Sequence, residues 1–333
     1  MNEHPQTTRC GFAAIIGAPN AGKSTLLNAL VGSKVAIVTH KVQTTRAAIR
    51  AIVVEGDSQI IFIDTPGIFQ PKRELDEAMV EAAWGGANDA DKIALIVDAK
   101  RGLNEDVERI IEGLEKNHKK AILILNKVDI MPRDSLLALT SHFNKRFAFD
   151  ETFMVSALTG SGVGDIRQHF AQSMPQGPWL YPADQLADLP TKLLASEITR
   201  EKMYLKLHDE LPYASTVETE SWLVKRDGSI RTEQVIYVER ESQRRIVLGH
   251  KGETIKTIGQ QAREDMAEIL GVKVHLFLFV KVRANWAQDP ERLRMMGLEP
   301  KHKNAKKRKP KNARNQHGKQ SHKPAGQNPK KET

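Results

Sequence analysis

A single cysteine, Cys10, occurs in 333 residues, so an intrachain disulfide is impossible and a cysteine-built zinc site is excluded with it. A lone thiol gains nothing from an oxidising compartment, which makes the cytosol the default. Residues 1–9 lack the charged and then apolar layout of a signal peptide, and the apolar run that begins at Cys10 leads straight into a glycine-rich turn, as a strand would. Long hydrophobic runs are missing too. Nothing approaches the roughly 18 consecutive apolar residues of a membrane span, and the stretch 274–280 stops at seven with His275 inside it. No internal repeat marks a solenoid. What remains is a chain with 40% apolar and 27% charged residues, ordinary for a globular protein and long enough for two domains.

The formal charge is +9, from 50 Lys and Arg against 41 Asp and Glu, and it is unevenly spread. Residues 1–190 hold 20 cations against 23 anions, residues 191–299 hold 18 against 17, and residues 300–333 hold 12 against one. This last segment, with Lys306, Lys307, Arg308, Lys309, Lys311, Lys330 and Lys331, contains no Val, Ile, Leu, Phe or other aromatic residue. It cannot bury enough apolar area to offset its ordering entropy, so it reads as a disordered basic tail suited to a polyanion.

Pro175, Pro178, Pro182 and Pro190 crowd a second boundary. Proline at that density interrupts helix and sheet alike, and residues 175–190 read as a linker. Before it, apolar runs at 13–16, 60–63, 93–97, 121–125 and 152–155 alternate with helical patterns at 23–31, 74–83, 105–117, 135–146 and 163–173. Continuously apolar strands separated by helices predict an α/β doubly wound domain over 8–174, with a mostly parallel sheet and one antiparallel hairpin over 47–63. After it, 191–298 reads as helix, strand, Asp227-Gly228 turn, strand, helix pair and strand, a smaller α+β domain.

Directly after the first strand stands Gly17-Ala18-Pro19-Asn20-Ala21-Gly22-Lys23-Ser24-Thr25, a full match to the GxxxxGK[ST] phosphate loop between a strand and a helix. Glycines at 17 and 22 let the backbone N–H groups curl around phosphates at a helix N-terminus; Lys23 supplies a point charge, and Ser24 a hydroxyl for Mg²⁺. The base is indicated by Asn126-Lys127-Val128-Asp129 after the strand at 121–125, since a carboxylate at Asp129 accepts both guanine donors, N1–H and the exocyclic amine. Ser156-Ala157-Leu158 completes that set after another strand. Asp64-Thr65-Pro66-Gly67 ends the strand at 60–63, where Asp64 would hold Mg²⁺ through a water and the Gly67 N–H would reach a γ-phosphate. The polar stretch 33–46 ends Gln43-Thr44-Thr45-Arg46, and one of its threonines can complete the Mg²⁺ shell.

Taken in order, GAPNAGKS, QTTR, DTPG, NKVD and SAL resemble the translation-factor-related branch of small GTPases. The second domain narrows the resemblance, over roughly residues 8–298, to the Era ribosome-assembly GTPases. It implies a P-loop GTPase domain followed by a prokaryotic-type KH domain, with GTP or GDP and Mg²⁺ as ligands. By family pattern Thr45 is preferred to Thr44 as the Mg²⁺ threonine, and Asn20 helps bind a K⁺ ion that replaces an arginine finger. Ile68 stands where Ras-like GTPases carry a water-orienting glutamine, and an aliphatic side chain cannot orient a water.

A GxxG loop, Gly249-His250-Lys251-Gly252, precedes a helical run in the second domain, with Lys256 one turn on. The spacing alone is weak, because about one GxxG is expected by chance in a chain of this glycine content. The resemblance to the Era KH domain, from Arg245 to Trp286, implies that this loop clamps single-stranded RNA at the 3′ end of small-subunit ribosomal RNA during subunit assembly. Ile255 and Ile258 read as core or groove floor, and Trp222 and Trp286 as core. The resemblance also implies contact with the inner membrane surface, where the basic tail would meet anionic lipid; a monomer is expected. A metabolic phosphotransferase shares the phosphate loop but not the NKVD and DTPG companions. A tRNA-modifying GTPase shares QTTR but carries other flanking domains.

Overall fold

The computed structural model describes residues 8–39, 41, 45–46 and 49–299. Gln43, Thr44 and the basic segment 300–333 lie outside the described residues. Five parallel strands form the body of the first sheet: β1 (Arg9–Ile16), β3 (Ser58–Asp64), β4 (Lys92–Asp98), β5 (Ile122–Asn126) and β6 (Thr152–Val155). The expected hairpin is present, with β2 (Ile49–Glu55) antiparallel to β3 across a turn at Gly56, whose φ of 57° suits glycine. With β7 (Ala187–Asp188) at the far edge, the order is β6-β5-β4-β1-β3-β2-β7, so the sequence of strands reverses on either side of β1. In a doubly wound sheet that reversal opens a crevice at the strands' carboxyl ends, which is where a ligand binds.

Helices α1 (Lys23–Val31) and α5 (Val163–Ser173) cover one face, where Leu26, Leu27, Phe62 and Phe170 pack together. Helices α2 (Glu74–Asp89), α3 (Glu105–Lys116) and α4 (Arg133–Arg146) cover the other, with Ala83, Ile110 and Phe143 in one core with Leu123 of β5. Burial on both faces explains why the strands read as unbroken apolar runs instead of alternating ones.

The proline-rich stretch departs from the expectation that it stays out of the sheet. Ala187–Asp188 form β7, an antiparallel edge strand on β2, and Ile52 N–H donates to the Leu186 carbonyl. The side-chain amide of Gln59 pins the same stretch by accepting from the N–H groups of Leu180 and Tyr181 and donating to the Tyr181 carbonyl. Prolines are tolerated here because a two-residue edge strand needs few ladder bonds.

The second part comprises α6 (Thr191–Lys206), β8 (Ser215–Val224), β9 (Ile230–Val238), α7 (Glu241–Leu248), α8 (Glu253–Leu270) and β10 (Val274–Val282). Its sheet has the order β10-β9-β8, with β8 antiparallel and β10 parallel to β9. Ile258, Ala262 and Met266, one face of α8, are fully buried against α6 and the sheet. Trp222 is half-buried on the same core. Trp286 is buried, but with partners outside its own domain: it packs with Leu75, Ala78 and Met79 of α2, together with Leu293 of the short helix α9 (Pro290–Met295) and Leu298.

Candidate functional site

The residues expected to act on a nucleotide converge at the carboxyl edge of the first sheet. The phosphate loop needs both of its glycines for reasons visible in its packing. A Cβ on Gly17 would lie 2.5 Å from the Ile96 carbonyl oxygen, and one on Gly22, at φ 101°, would lie 2.2 Å from Asn126 Nδ2. Asn20 also takes a left-handed φ of 64°, a conformation asparagine tolerates better than most residues. Lys23 is buried and its Nζ donates to the carbonyls of Gly17 (3.1 Å) and Ala18 (3.0 Å), folding the loop around the ammonium. Burial pulls its pKa down to about 8 against the opposing pull of Asp64.

Ser24, Thr45 and Asp64 meet behind this loop. Ser24 Oγ donates to Asp64 Oδ2 at 2.8 Å, Thr45 Oγ1 donates to the same oxygen at 3.1 Å, and the two hydroxyls are 3.0 Å apart. Asp64 is fully buried, which raises its carboxyl pKa, and its Oδ1 has no hydrogen-bond partner among the described residues. Such an atom costs free energy unless something charged completes it. Two hydroxyls and one carboxylate form an all-oxygen set suited to a hard divalent cation that keeps several waters, so these residues fit Mg²⁺. The described residues contain no cluster of three or more His, Cys, Asp or Glu that could hold a metal. Thr65 faces the other way and donates to the Ile15 carbonyl. A Cβ on Gly67 would press on Pro19 at 3.1 Å, and the following Ile68 N–H donates to the Gly17 carbonyl while its side chain enters the core at 4% exposure.

The NKVD residues divide their work. Asn126 is buried and ties two loops together, its Nδ2 donating to the Ala21 carbonyl (2.9 Å) and its Oδ1 accepting from the Ala157 N–H (3.0 Å). Lys127 Nζ bridges the Asn20 carbonyl (2.8 Å) and Asp98 (2.7 Å). Asp129 is exposed and lines a cavity of about 690 Å³ with Ser156. Ser156 is buried, with its Oγ accepting from the Thr159 N–H, whereas the Leu158 side chain is 81% exposed and belongs to neither loop's packing.

Sequence reasoning missed Asp98, Ile37, Val38 and Thr39. Asp98 left a readable signal, an acidic residue ending a buried strand at the ligand edge. Ile37, Val38 and Thr39 line the phosphate cleft with Pro19, Lys23 and Gly67 but carry no motif.

In the second part, His250–Gly252 forms one 3-10 turn between α7 and α8, preceded by Gly249 and with Lys251 at a left-handed φ of 49°. A Cβ on Gly249, at φ 73°, would lie 2.1 Å from Thr254 Oγ1, so the turn closes tightly on the start of α8. His250, Lys251 and Lys256 are exposed. Lys256, Ile255, Gly259 and Arg263 of α8 face Leu276 and Leu278 of β10 across a groove of about 300 Å³. Cations at its rim and aliphatic floor residues suit a nucleic acid strand with unstacked bases.

Residues 12–127 match the family described as 50S ribosome-binding GTPase, and residues 210–287 match the KH domain. GTPase Era of Brucella suis biovar 1 (strain 1330) is 62% identical over 292 residues, covering 88% of this chain and 94% of that protein. GTPase Era of Afipia carboxidovorans is 62% identical over 297 residues, covering 89% and 96%. Among solved structures, Era in complex with MgGDPNP and nucleotides 1506-1542 of 16S ribosomal RNA superposes with a TM-score of 0.83 at 36% identity, over 87% of this chain and 99% of that one. An Aquifex aeolicus Era variant bound to GDP.AlF4- gives the same TM-score, identity and coverage.

Proposed function

The chain belongs to the Era family of GTPases, and on that premise we propose that it binds the 3′ end of small-subunit ribosomal RNA in the α8–β10 groove and acts in small-subunit assembly under control of its nucleotide. The observation that carries this reading is the pairing, in one chain, of the Ser24, Thr45 and Asp64 cluster with the GHKG turn and its groove. Further support comes from the related Era, which was solved with MgGDPNP and a 16S ribosomal RNA segment.

The assigned roles follow from the side chains. Lys23 and the backbone of residues 17–24 neutralise and hold the β- and γ-phosphates. Ser24 and Thr45 would hold Mg²⁺, with Asp64 acting through a water, and Asp129 would select guanine. Bound there, Mg²⁺ would draw charge from the phosphates as the β–γ bond breaks. Gly67 N–H meets the γ-phosphate, so its departure frees the residues that follow. Because Ile68 is a core side chain, the attacking water takes its orientation from elsewhere. Asn20, at the phosphate cleft, is assigned to a K⁺ ion. Single-turnover hydrolysis is therefore expected to run faster in K⁺ than in Na⁺, and equal rates would remove the potassium assignment.

Crosslinking in cells followed by mapping of the bound RNA tests the partner. Enrichment of the small-subunit 3′ end is the expected result, and its absence would overturn the assignment. A sharper test is Gly249→Ala. It forces an alanine into a region that costs roughly 1–3 kcal/mol outside glycine and drives a methyl into Thr254. RNA affinity, measured by filter binding, is expected to fall about tenfold or more by that strain. The protein is assigned to the cytoplasm as a monomer, with its basic arm within reach of anionic lipid at the inner membrane face. No helix among the described residues is long and apolar enough to cross a membrane.

A further inference from the structure

Helix α6 lies outside both matched family stretches, yet it touches the phosphate-side loop of the first domain at several points. Glu201 Oε1 accepts from the Val38 N–H at 2.9 Å, and its Oε2 pairs with Lys34 Nζ at 2.6 Å. Lys34 also meets Asp265 of α8 at 3.0 Å; burial alone would lower its pKa, but the two carboxylates raise it overall. Lys41 Nζ donates to the Leu207 carbonyl at the end of α6. Arg46, 3% exposed, donates to Tyr204 Oη (3.0 Å) and to the Ser215 carbonyl (2.9 Å), and its guanidinium lies 5.4 Å from the Trp286 ring centre. Residues 201 and 204 are three apart on one helix, so a single face of α6 presents both grips.

What these grips hold is the surround of the magnesium cluster. Val38 lines the phosphate cleft. Arg46 directly follows Thr45, whose hydroxyl meets Ser24 and Asp64. The backbone at 45–46 therefore carries one side chain into the nucleotide site and the next into the second domain. Burying a guanidinium is expensive unless its donors are placed, so Arg46 has a narrow choice of positions, and Thr45 shares that constraint.

We infer that Glu201 and Tyr204 are positioning residues for GTP hydrolysis: α6 of the second domain fixes Val38 and Arg46 and thereby holds Thr45 at the Mg²⁺ shell. In this arrangement the first domain does not carry a complete active site by itself. Partners bonded directly to metal ligands typically change affinity or activity by about 10–100-fold when lost, and Glu201 and Tyr204, acting through Val38 and Arg46, belong at the lower end of that range.

The inference rests on the assignment of Thr45 to the Mg²⁺ shell, and the experiment separates the two. Full-length Glu201→Leu/Tyr204→Phe keeps Lys34 paired to Asp265 and the ring of residue 204 in place. Single-turnover GTP hydrolysis, its Mg²⁺ midpoint, GDP affinity and thermal unfolding are measured on this variant, on Thr45→Ala and on Glu201→Gln. The double variant is expected to lose about tenfold in rate and to need about tenfold more Mg²⁺, with GDP affinity held within about twofold because phosphate loop and guanine contacts are untouched. Glu201→Gln, which keeps an acceptor for Val38 N–H, should recover most of the rate. A folded double variant with wild-type rate and Mg²⁺ midpoint would overturn the inference, and so would an equal loss of GDP affinity. If Thr45→Ala leaves the Mg²⁺ midpoint unmoved, the site assignment falls and takes this inference with it.

Discussion

Gly22→Ala is expected to lower GTP affinity by about two to three orders of magnitude, from two costs that add at one position. The first is conformational: Gly22 sits at φ 101°, ψ 23° as the residue before α1, and a left-handed backbone costs an alanine roughly 1–2 kcal/mol. The second is steric, since the new Cβ would stand 2.2 Å from Asn126 Nδ2. Asn126 has no room to yield without breaking its bonds to the Ala21 carbonyl and the Ala157 N–H, the two links between phosphate loop and base loop. Buried bonds of that kind are worth roughly 1–3 kcal/mol when a partner is left unsatisfied. A total near 3–4 kcal/mol corresponds to the stated loss. Isothermal titration with GTP and GDP checks it, and both nucleotides should suffer alike because the damage precedes the γ-phosphate. An affinity within tenfold of wild type would mean that the loop relaxes around the methyl, and that the tight Gly22–Asn126 approach does not hold the site together.

Asn126 also shows where the sequence was legible and where it was not. GAPNAGKS and NKVD are readable because their geometry is local: a turn, a helix start and a strand end recur at fixed spacing wherever the same contacts form. The four inner parallel strands, β1, β3, β4 and β5, were readable because double-sided burial leaves long apolar runs. Contacts between distant segments leave no such trace. Nothing in the spacing of Glu201 and Tyr204 announces that they grip Val38 and Arg46, 163 and 158 residues away. Trp286 reads as core from composition, and core it is, but its partners on α2 are not a matter of periodicity. The two-residue strand β7 is too short for any pattern and is hidden among prolines. Its existence depends on Gln59 and β2 being there to receive it.

Deleting residues 300–333 is the second large perturbation, and it should change how RNA binding responds to salt more than what RNA is chosen. The segment carries 12 Lys and Arg against one Glu, whereas residues 1–299 hold 38 cations against 40 anions and are close to neutral. Affinity through phosphate neutralisation falls with salt at a slope of about −0.7 per contact on single strands. If half of the arm's cations engage phosphates, removing them flattens the slope by about four, so that between about 50 and 200 mM salt the full chain should lose some two and a half decades more affinity than the truncated one. Phosphate contacts carry no sequence information, and base edges do. Preference for the small-subunit 3′ end over a scrambled strand should therefore survive truncation, since the groove between α8 and β10 is intact. The measurement is a salt series of RNA affinities for both proteins on both strands. A truncated protein that kept the steep slope would place the neutralising cations within residues 1–299, at Lys251, Lys256 and Arg263. One that lost its preference for the 3′ end would place recognition in the arm, and the groove would then be a scaffold for it.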